Sequence, residues 1–215
     1  MLQSRSFWTA LLGAAFVALL LPGPARAQVG TAVSVARNLS VEGRAGIGVP
    51  AGNLSDMEDA GFSAGLGVSY RLADRIRVRA DGDLETLLGK PRPTGLAAYP
   101  DLKLYHYGAG VDVELLRPIL IPWRITAGVG AGATTFAFDD LTSGGVTVSP
   151  DKKTYLSTTG FARVGYSPMP LVDVFVQARA YLMFTSPEDF QAVGGDIGDT
   201  TWSVPLQGGI ALHLP

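Results

Sequence analysis

Acidic residues at alternate positions form the densest group of potential metal ligands in this sequence. Asp81, Asp83 and Glu85 would project from one face of a strand, because side chains two residues apart point to the same side. Three carboxylates on one face could bind a divalent cation through their oxygen atoms. Arg77 and Arg79 belong to the same face, and their guanidinium groups would neutralise the carboxylates. We therefore interpret this group as part of a salt-bridge network, and we expect no metal and no other cofactor.

Residues suited to nucleophilic catalysis are scarce. The chain has no cysteine and 2 histidines, His106 and His213, so thiol nucleophiles, zinc ribbons and iron–sulfur clusters are excluded. Both histidines belong to the polar side of their segments, and we expect them to lie far apart. Since a Ser–His–acid triad can assemble across strands, a hydrolase stays open as an alternative. Our expectation is a protein that is not an enzyme.

The composition limits the class of protein and of partner. An apolar content of 47% and a formal net charge of -2 are typical of a folded domain rather than a disordered chain. The 17 basic and 19 acidic residues include no basic run, which argues against nucleic acid as a partner. No glycine-rich loop opens a helix, so no dinucleotide site is expected.

Residues 1–27 are typical of a secretory signal peptide. Arg5 precedes an apolar run from 7 to 21, and Ala25-Arg26-Ala27 provides a small-x-small cleavage site before Gln28. The apolar run is shorter than the roughly 20 residues that a spanning helix needs. We expect the chain to be exported and cleaved, with residues 28–215 forming a single domain.

From residue 39 onward, apolar and polar residues alternate with a period of two, which indicates strands with unlike faces. The pattern predicts eight strands, at 39–48, 61–72, 75–86, 102–116, 122–136, 154–166, 172–184 and 201–214. These strands are longer than the usual five or six residues of a globular protein, and their length suits a bilayer, which a tilted strand of roughly 9 to 11 residues crosses. Short connections (73–74, 117–121 and 167–171) alternate with long ones (49–60, 87–101, 139–153 and 185–200). This layout predicts an all-β, eight-stranded, antiparallel up-and-down transmembrane β-barrel.

The period alone does not say which face lies inside. In a soluble barrel the apolar face lines the interior, whereas in a membrane barrel it faces lipid. Charge balance favours the membrane arrangement, because seven basic and seven acidic residues share the polar face and buried charges must be paired. The predicted lumen charge network comprises Glu42, Arg44, Arg71, Arg77, Arg79, Asp81, Asp83, Glu85, Asp112, Glu114, Arg124, Arg163, Asp173 and Arg179. Glycines on the same face would leave room for the arginines, at Gly65, Gly67, Gly108, Gly110, Gly128, Gly130 and Gly132.

Aromatic residues of the apolar face gather near the strand ends. Phe62, Tyr105, Phe184 and Trp202 lie toward the long loops, and Tyr70, Trp123 and Tyr166 lie toward the short turns. Two aromatic girdles separated by an aliphatic band are typical of the two interfaces of a membrane.

Across residues 39–214 the layout resembles that of the small eight-stranded outer-membrane barrels, the OmpA/OmpX/OmpW-like group. The terminal segment 207–214 resembles the strand signal read by the barrel-assembly machinery, with Gly208, Ile210, Leu212 and Leu214 at alternate positions. The sequence departs from that signal by ending in Pro215 instead of an aromatic residue. The resemblance implies a location in the bacterial outer membrane of a Gram-negative cell envelope, and it leaves a lipid hydrolase as the enzymatic alternative.

The expected function is a structural or surface-interaction role through the long loops, around an ion-pair-filled lumen. Two alternatives stay open, namely a small gated or lateral, porin-like channel for small or apolar molecules and a soluble periplasmic lipocalin-like binding barrel. The expected partners are outer-membrane lipid, lipopolysaccharide and, during biogenesis, the barrel-assembly machinery, with the protein itself a monomer. A sharper hypothesis is that loop acids bridge to lipopolysaccharide phosphates through Mg²⁺ or Ca²⁺. The acids concerned are Asp56, Glu58, Asp59, Glu188, Asp189, Asp196 and Asp199.

Overall fold

A computed structural model of the chain describes residues 38–92, 98–116, 122–143, 146–193 and 197–214. The elements are β1 (Leu39–Gly48), β2 (Pro50–Ala51), α1 (Leu54–Met57), β3 (Glu58–Ala73), β4 (Ile76–Gly89), β5 (Leu102–Leu116), β6 (Trp123–Phe138), β7 (Leu141–Ser143), β8 (Val146–Val148), β9 (Lys153–Met169), β10 (Val172–Phe184), a 3-10 helix (Pro187–Val193), β11 (Thr200–Ser203) and β12 (Leu206–His213). No helix in these ranges is long and apolar enough to cross a membrane. The predicted signal peptide, the turn 117–121, Asp196 and Pro215 lie outside the described residues.

The strands close into a ring. Each long strand pairs antiparallel with the next, in the order β1, β3, β4, β5, β6, β9 and β10, and β12 pairs with both β10 and β1. The short strands β2 and β11 continue β1 and β12 beyond breaks at Val49 and at Val204-Pro205. Pro205 has no N–H to donate, which accounts for the interruption of the last strand. The ring therefore has eight barrel strands, namely β1, β3, β4, β5, β6, β9, β10 and β12. The predicted fold class is confirmed.

The strand boundaries follow the predicted ones with a few extensions. β3 starts at Glu58 rather than 61 and β4 ends at Gly89 rather than 86, so this hairpin extends further toward the long loops. Its turn consists of Asp74 and Arg75, one residue later than predicted. The long connections also contain short elements that the alternating pattern did not predict, namely α1, the β7–β8 hairpin and the 3-10 helix. We call the two ends of the barrel the loop end and the turn end.

The two faces of the barrel wall have opposite chemistry. On the outer face, large aliphatic side chains are exposed, including Leu66 at 70% and Val129 at 69%. On the inner face, ionic side chains are buried, including Arg179 and Glu85 at 0% exposure. The hydrophobic residues of the central wall are thus outside and the charges are inside, the reverse of a soluble protein.

At the loop end, the inner face changes from ionic to apolar. The inward side chains of β4, β5, β6 and β10 there form a buried hydrophobic cluster with residues from α1, the 3-10 helix and the following loop. We call this cluster the apolar lid: Leu54, Met57, Leu87, Leu102, Leu104, Phe136, Met183, Phe190 and Ile197. The alternating pattern predicted no such lid, because it was interpreted as one polar face along the whole of each strand.

Candidate functional site: the lumen charge network

Asp83 on β4 is the centre of the lumen network. Its carboxylate accepts two hydrogen bonds from Arg44 on β1, from Nε at 2.8 Å and from Nη2 at 2.5 Å. It also accepts the hydroxyl hydrogen of Tyr181 at 2.5 Å and an amide hydrogen of Gln207 at 3.0 Å. The two-pronged pairing of a guanidinium with a carboxylate is the strongest geometry available to these groups. Asp83 thereby joins side chains from β1, β10 and β12 to β4.

Further ion pairs spread from this centre. Asp81 accepts hydrogen bonds from both Arg79 and Arg179, and Arg79 continues to Asp112 on β5 at 2.6 Å. On the opposite side, Arg44 binds Glu42 at 2.7 Å. Glu42 in turn binds Arg163 on β9 at 2.6 Å. These ion pairs make one continuous network that joins five of the eight barrel strands, and the hydrogen bond from Gln207 to Asp83 adds β12 as a sixth.

Buried aromatic rings also contact the guanidinium groups of the lumen arginines. The guanidinium carbon of Arg79 lies 4.3 Å from the centre of the Phe161 ring, and those of Arg163 and Arg179 lie 5.3 Å from it. In the described part of the chain, Nη2 of Arg79 and both Nε and Nη2 of Arg179 have no hydrogen-bond acceptor. The negative face of an aromatic ring attracts such cations. Phe161 thus stabilises buried guanidinium groups that oxygen atoms only partly satisfy.

His106 belongs to a second polar group, located between the network and the apolar lid. Its Nε2 lies 2.8 Å from Glu85 and its Nδ1 lies 2.8 Å from Thr134. The ring stacks on Tyr181 with a centroid separation of 3.7 Å. Ser203 donates to the other oxygen of Glu85 at 2.5 Å. The three carboxylates of β4 that could have bound a cation are therefore bound by protein groups: Asp81 and Asp83 by arginine, and Glu85 by His106 and Ser203.

A row of polar side chains crosses the lumen at the turn end. Arg124 binds Asp173 at 2.8 Å, and Ser167 donates to the same carboxylate at 2.6 Å. His213 lies 2.6 Å from Asp173 through Nε2 and 2.6 Å from the hydroxyl of Ser40 through Nδ1. Ser, His and Asp are the residue types of a hydrolase triad, but here Nδ1 rather than Nε2 faces the serine. Because Arg124 also holds the acid, we interpret the row as a tie between β1, β12, β10, β9 and β6.

The remaining predicted network residues lie near this row. Nη2 of Arg77 lies 3.9 Å from a carboxylate oxygen of Glu114. Arg71 is half-buried and lies opposite Arg77 in the β3–β4 register. Among the described residues, no group of three or more His, Asp or Glu side chains is arranged to hold a metal ion.

The inner glycines serve two different purposes. A Cβ atom on Gly65 would overlap the Asp83 carboxylate, and one on Gly67 would lie 3.0 Å from Nη1 of Arg44. One on Gly128 would lie 2.6 Å from the Asp112 carboxylate, so these three positions leave room for the network. The other four predicted glycines do not. For Gly108, Gly110, Gly130 and Gly132, the Cβ would instead meet a backbone carbonyl of the facing strand, so these glycines allow β5 and β6 to approach closely.

The predicted girdle and assembly residues lie on the outer wall. Six of the seven aromatic side chains are exposed by more than a third, namely Phe62, Tyr105, Trp123, Tyr166, Phe184 and Trp202, and Tyr70 is half-buried. Trp123 and Tyr166 contact each other at the turn end, with ring centroids 5.3 Å apart. Gly208, Ile210 and Leu212 are exposed along β12, and exposed Leu214 follows the strand.

One buried carboxyl group lies apart from the network. Glu58, at the loop end of β3 and outside the girdle residue Phe62, has 0% exposure, and neither carboxylate oxygen has a hydrogen-bond partner in the described part of the chain. Burial, followed by the nearby charges of Asp101 and Asp59, raises the pKa of Glu58 to about 8, although Lys90 opposes the shift. The interpretation of Glu58 as a solvated loop acid is therefore wrong, because its side chain is fully buried.

No family model matches the sequence, and no curated protein matches it. Solved structures do match its fold. Neisserial surface protein A (NspA) superposes with a TM-score of 0.60 at 18% identity, covering 82% of this chain and 97% of that one. A major outer membrane protein from Thermus thermophilus gives a TM-score of 0.54 at 12% identity, covering 81% and 98%. The outer membrane protein OprG from Pseudomonas aeruginosa gives 0.50 at 13% identity, covering 82% and 97%. The chain therefore has the fold of small outer-membrane β-barrels.

The Asp83→Asn variant tests the centre of the network. The substitution removes one of the carboxylate charges that Arg44 and Arg179 share and leaves these arginines with Asp81 and Glu42. We expect a loss of about 3–5 kcal/mol in the free energy of unfolding, because the buried positive charge is then in excess. Urea unfolding of the folded protein in micelles measures the loss. Asp74→Asn, in the exposed turn between β3 and β4, is the matched control and should change stability little. An Asp83→Asn protein as stable as the parent would show that the network is not needed.

Glu58 predicts a pH dependence of the loop end. Because its pKa is raised in the folded state, its stabilising effect is fully present below the ordinary value of 4.5 and is lost as the pH rises through about 8. Hydrogen exchange of α1 should therefore accelerate beyond the intrinsic rate as the pH rises from 4.5 to about 8, and should follow the intrinsic rate above that. Glu58→Gln should abolish this acceleration, whereas Asp56→Asn, an exposed acid of α1, should retain it. The same acceleration in Glu58→Gln would contradict the assignment.

Proposed function

We propose that this protein is an outer-membrane β-barrel with a closed, ion-pair-filled lumen, and that its loop end carries its surface interactions. The observation that supports the membrane location is the apolar outer wall. Aliphatic side chains such as Leu66, Val129 and Leu156 are 69–73% exposed on this wall. A contiguous apolar surface of this kind needs lipid or another apolar partner around it.

The arrangement along the wall fits a bilayer. Aromatic side chains lie at the two ends of the outer face, and aliphatic residues lie between them, as interfaces and hydrocarbon core require. The barrel strands are also long: β4, for example, has 14 residues and β6 has 16. Among the described residues, each of the eight barrel strands pairs with a neighbour on both sides, a condition that every membrane-spanning sheet must meet.

The interior supports a closed barrel rather than a cavity for an apolar ligand. A soluble lipocalin-like barrel would place its apolar face inside. Here the centre of the lumen is occupied by buried ionic groups such as Arg44, Asp83 and Arg179. Eight strands give an interior just wide enough for side chains, and the apolar lid covers the loop end. We therefore favour a structural or surface role over a channel.

The loops are the part of the barrel best suited to contact partners. The strand ends and connections at this end carry exposed charged side chains, such as those of Asp59, Lys103 and Asp139, outside the aromatic girdle. Lipopolysaccharide and other envelope components are the partners we propose for this end, with the barrel-assembly machinery acting during biogenesis. Neisserial surface protein A, one of the structural neighbours, is by its name a surface protein.

Membrane fractionation tests this proposal. After expression of the full chain in a Gram-negative host, we expect the protein in the outer membrane, resistant to carbonate extraction, with a heat-dependent shift in gel mobility. Val129→Arg, at the middle of β6, should cost about 2–4 kcal/mol because it places a charge in hydrocarbon. Val129→Leu is the matched control and should be tolerated. Release of the parent protein by carbonate, or normal stability of Val129→Arg, would contradict the proposal.

A further inference from the structure

Two arginines face each other on the inner wall at the turn end. Arg71, near the end of β3, and Arg77, near the start of β4, are partners in the β3–β4 register, and both side chains are half-buried. The turn between them, Asp74 and Arg75, carries one charge of each sign and adds no net charge. Like charges directly opposite each other destabilise a sheet. A negative group between the two guanidinium groups would remove this repulsion.

The carboxylates of the barrel neutralise this pair incompletely. Oε2 of Glu114 lies 3.9 Å from Nη2 of Arg77, which is beyond hydrogen-bond distance. Nη2 of Arg77 is inaccessible to solvent and has no hydrogen-bond partner in the described part of the chain. Among the same residues, the guanidinium group of Arg71 forms no ion pair or hydrogen bond. The central layer differs, because Arg44 there binds Asp83 at 2.5 Å.

The charges around Arg77 are unbalanced. Those of Arg71 and Arg124 repel the charge of Arg77, and those of Glu114 and Asp173 attract it. Arg124 and Asp173 bind each other at 2.8 Å and so cancel. Within the described residues, Arg71 and Arg77 are therefore left with the single charge of Glu114, and one positive charge is in excess. An excess of this kind at the mouth of a low-dielectric lumen favours the entry of an anion.

We propose that Arg71 and Arg77 together bind a phosphate group at the turn end of the lumen. A guanidinium group presents its N–H groups as a planar fork that matches two oxygen atoms of an oxyanion. A phosphate has enough oxygen atoms for two forks, and its double charge matches two arginines, whereas a carboxylate has two oxygen atoms and one charge. The Arg77 side chain is 15% exposed, so the site opens to water. It lies at the end opposite the loops and is thus separate from the proposed surface role.

Phosphorus NMR of inorganic phosphate tests the proposal, with the folded full chain in maltoside micelles, which contain no phosphate. We expect saturable binding of phosphate, and much weaker competition by acetate. Arg71→Gln and Arg77→Gln should each weaken phosphate binding about tenfold, because each removes charge-assisted hydrogen bonds. Lys152→Gln is the matched control, since it removes the same charge from an exposed side chain at the loop end, and it should leave binding unchanged.

A second measurement separates a binding role of Arg71 from a structural one. Without phosphate, Arg71→Gln relieves the repulsion from Arg77, so the midpoint of the heat-dependent gel shift should stay the same or rise. Added phosphate should raise the midpoint of the parent protein and leave that of Arg71→Gln unchanged, because a ligand stabilises only the state that binds it. The presence of the gel shift also verifies that each variant is folded.

Four results would overturn the proposal: no saturable binding of phosphate, equal competition by acetate, undiminished binding in both arginine variants, or a lower midpoint of Arg71→Gln without phosphate. Soluble phosphate compounds and phospholipid headgroups share the chemistry of the site, and phosphatidylglycerol added to the micelles separates them. Displacement of inorganic phosphate by this lipid supports a headgroup as the occupant. Retention of inorganic phosphate supports a soluble compound.

Discussion

The pairing of buried arginines with buried carboxylates is the constraint on which the rest of this barrel depends. A ring of eight strands leaves room inside for side chains only, and a charge placed there without a partner costs several kcal/mol. In the central layer, Asp83 reduces this cost. Its carboxylate pairs with Arg44 and Arg179 and also accepts hydrogen bonds from Tyr181 and Gln207. The wall can therefore present its apolar residues outward while its ionic residues are satisfied inside.

The lumen is layered from one end to the other. At the turn end, the row of polar side chains from Arg124 through Asp173 and His213 to Ser40 connects five barrel strands. The arginine-rich layer occupies the centre, with His106 and Glu85 beyond it, and the apolar lid covers the loop end. The sequence of layers places the loops on a barrel whose lumen is filled by side chains, which is the support that the proposed surface interactions need.

Much of this arrangement could be predicted from residue types at alternate positions. The set of inward charges follows from the period of two, because a strand side chain has only two sides to choose between. The strand number follows from the count of alternating segments, and the antiparallel order follows from the alternation of short and long connections. The lid could not be predicted in this way, since Leu104 and Phe136 are apolar residues at positions of the polar face. Ser40 was missed because a single hydroxyl gives no pattern, and its partner His213 is remote in sequence. The β5–β6 glycines look the same as Gly65 in the sequence, and only the geometry separates their roles.

The most direct test of the central claim is the environment of alternate residues along β10. The chain has no cysteine, so single cysteines at Val174, Phe175, Val176, Gln177 and Ala178 can each carry a spin label in a bilayer. We predict high collision rates with lipid-dissolved oxygen at 174, 176 and 178, and low rates with both oxygen and a water-soluble nickel complex at 175 and 177. The reverse alternation, with lipid contact at 175 and 177, would contradict the assignment of the charged face to the lumen.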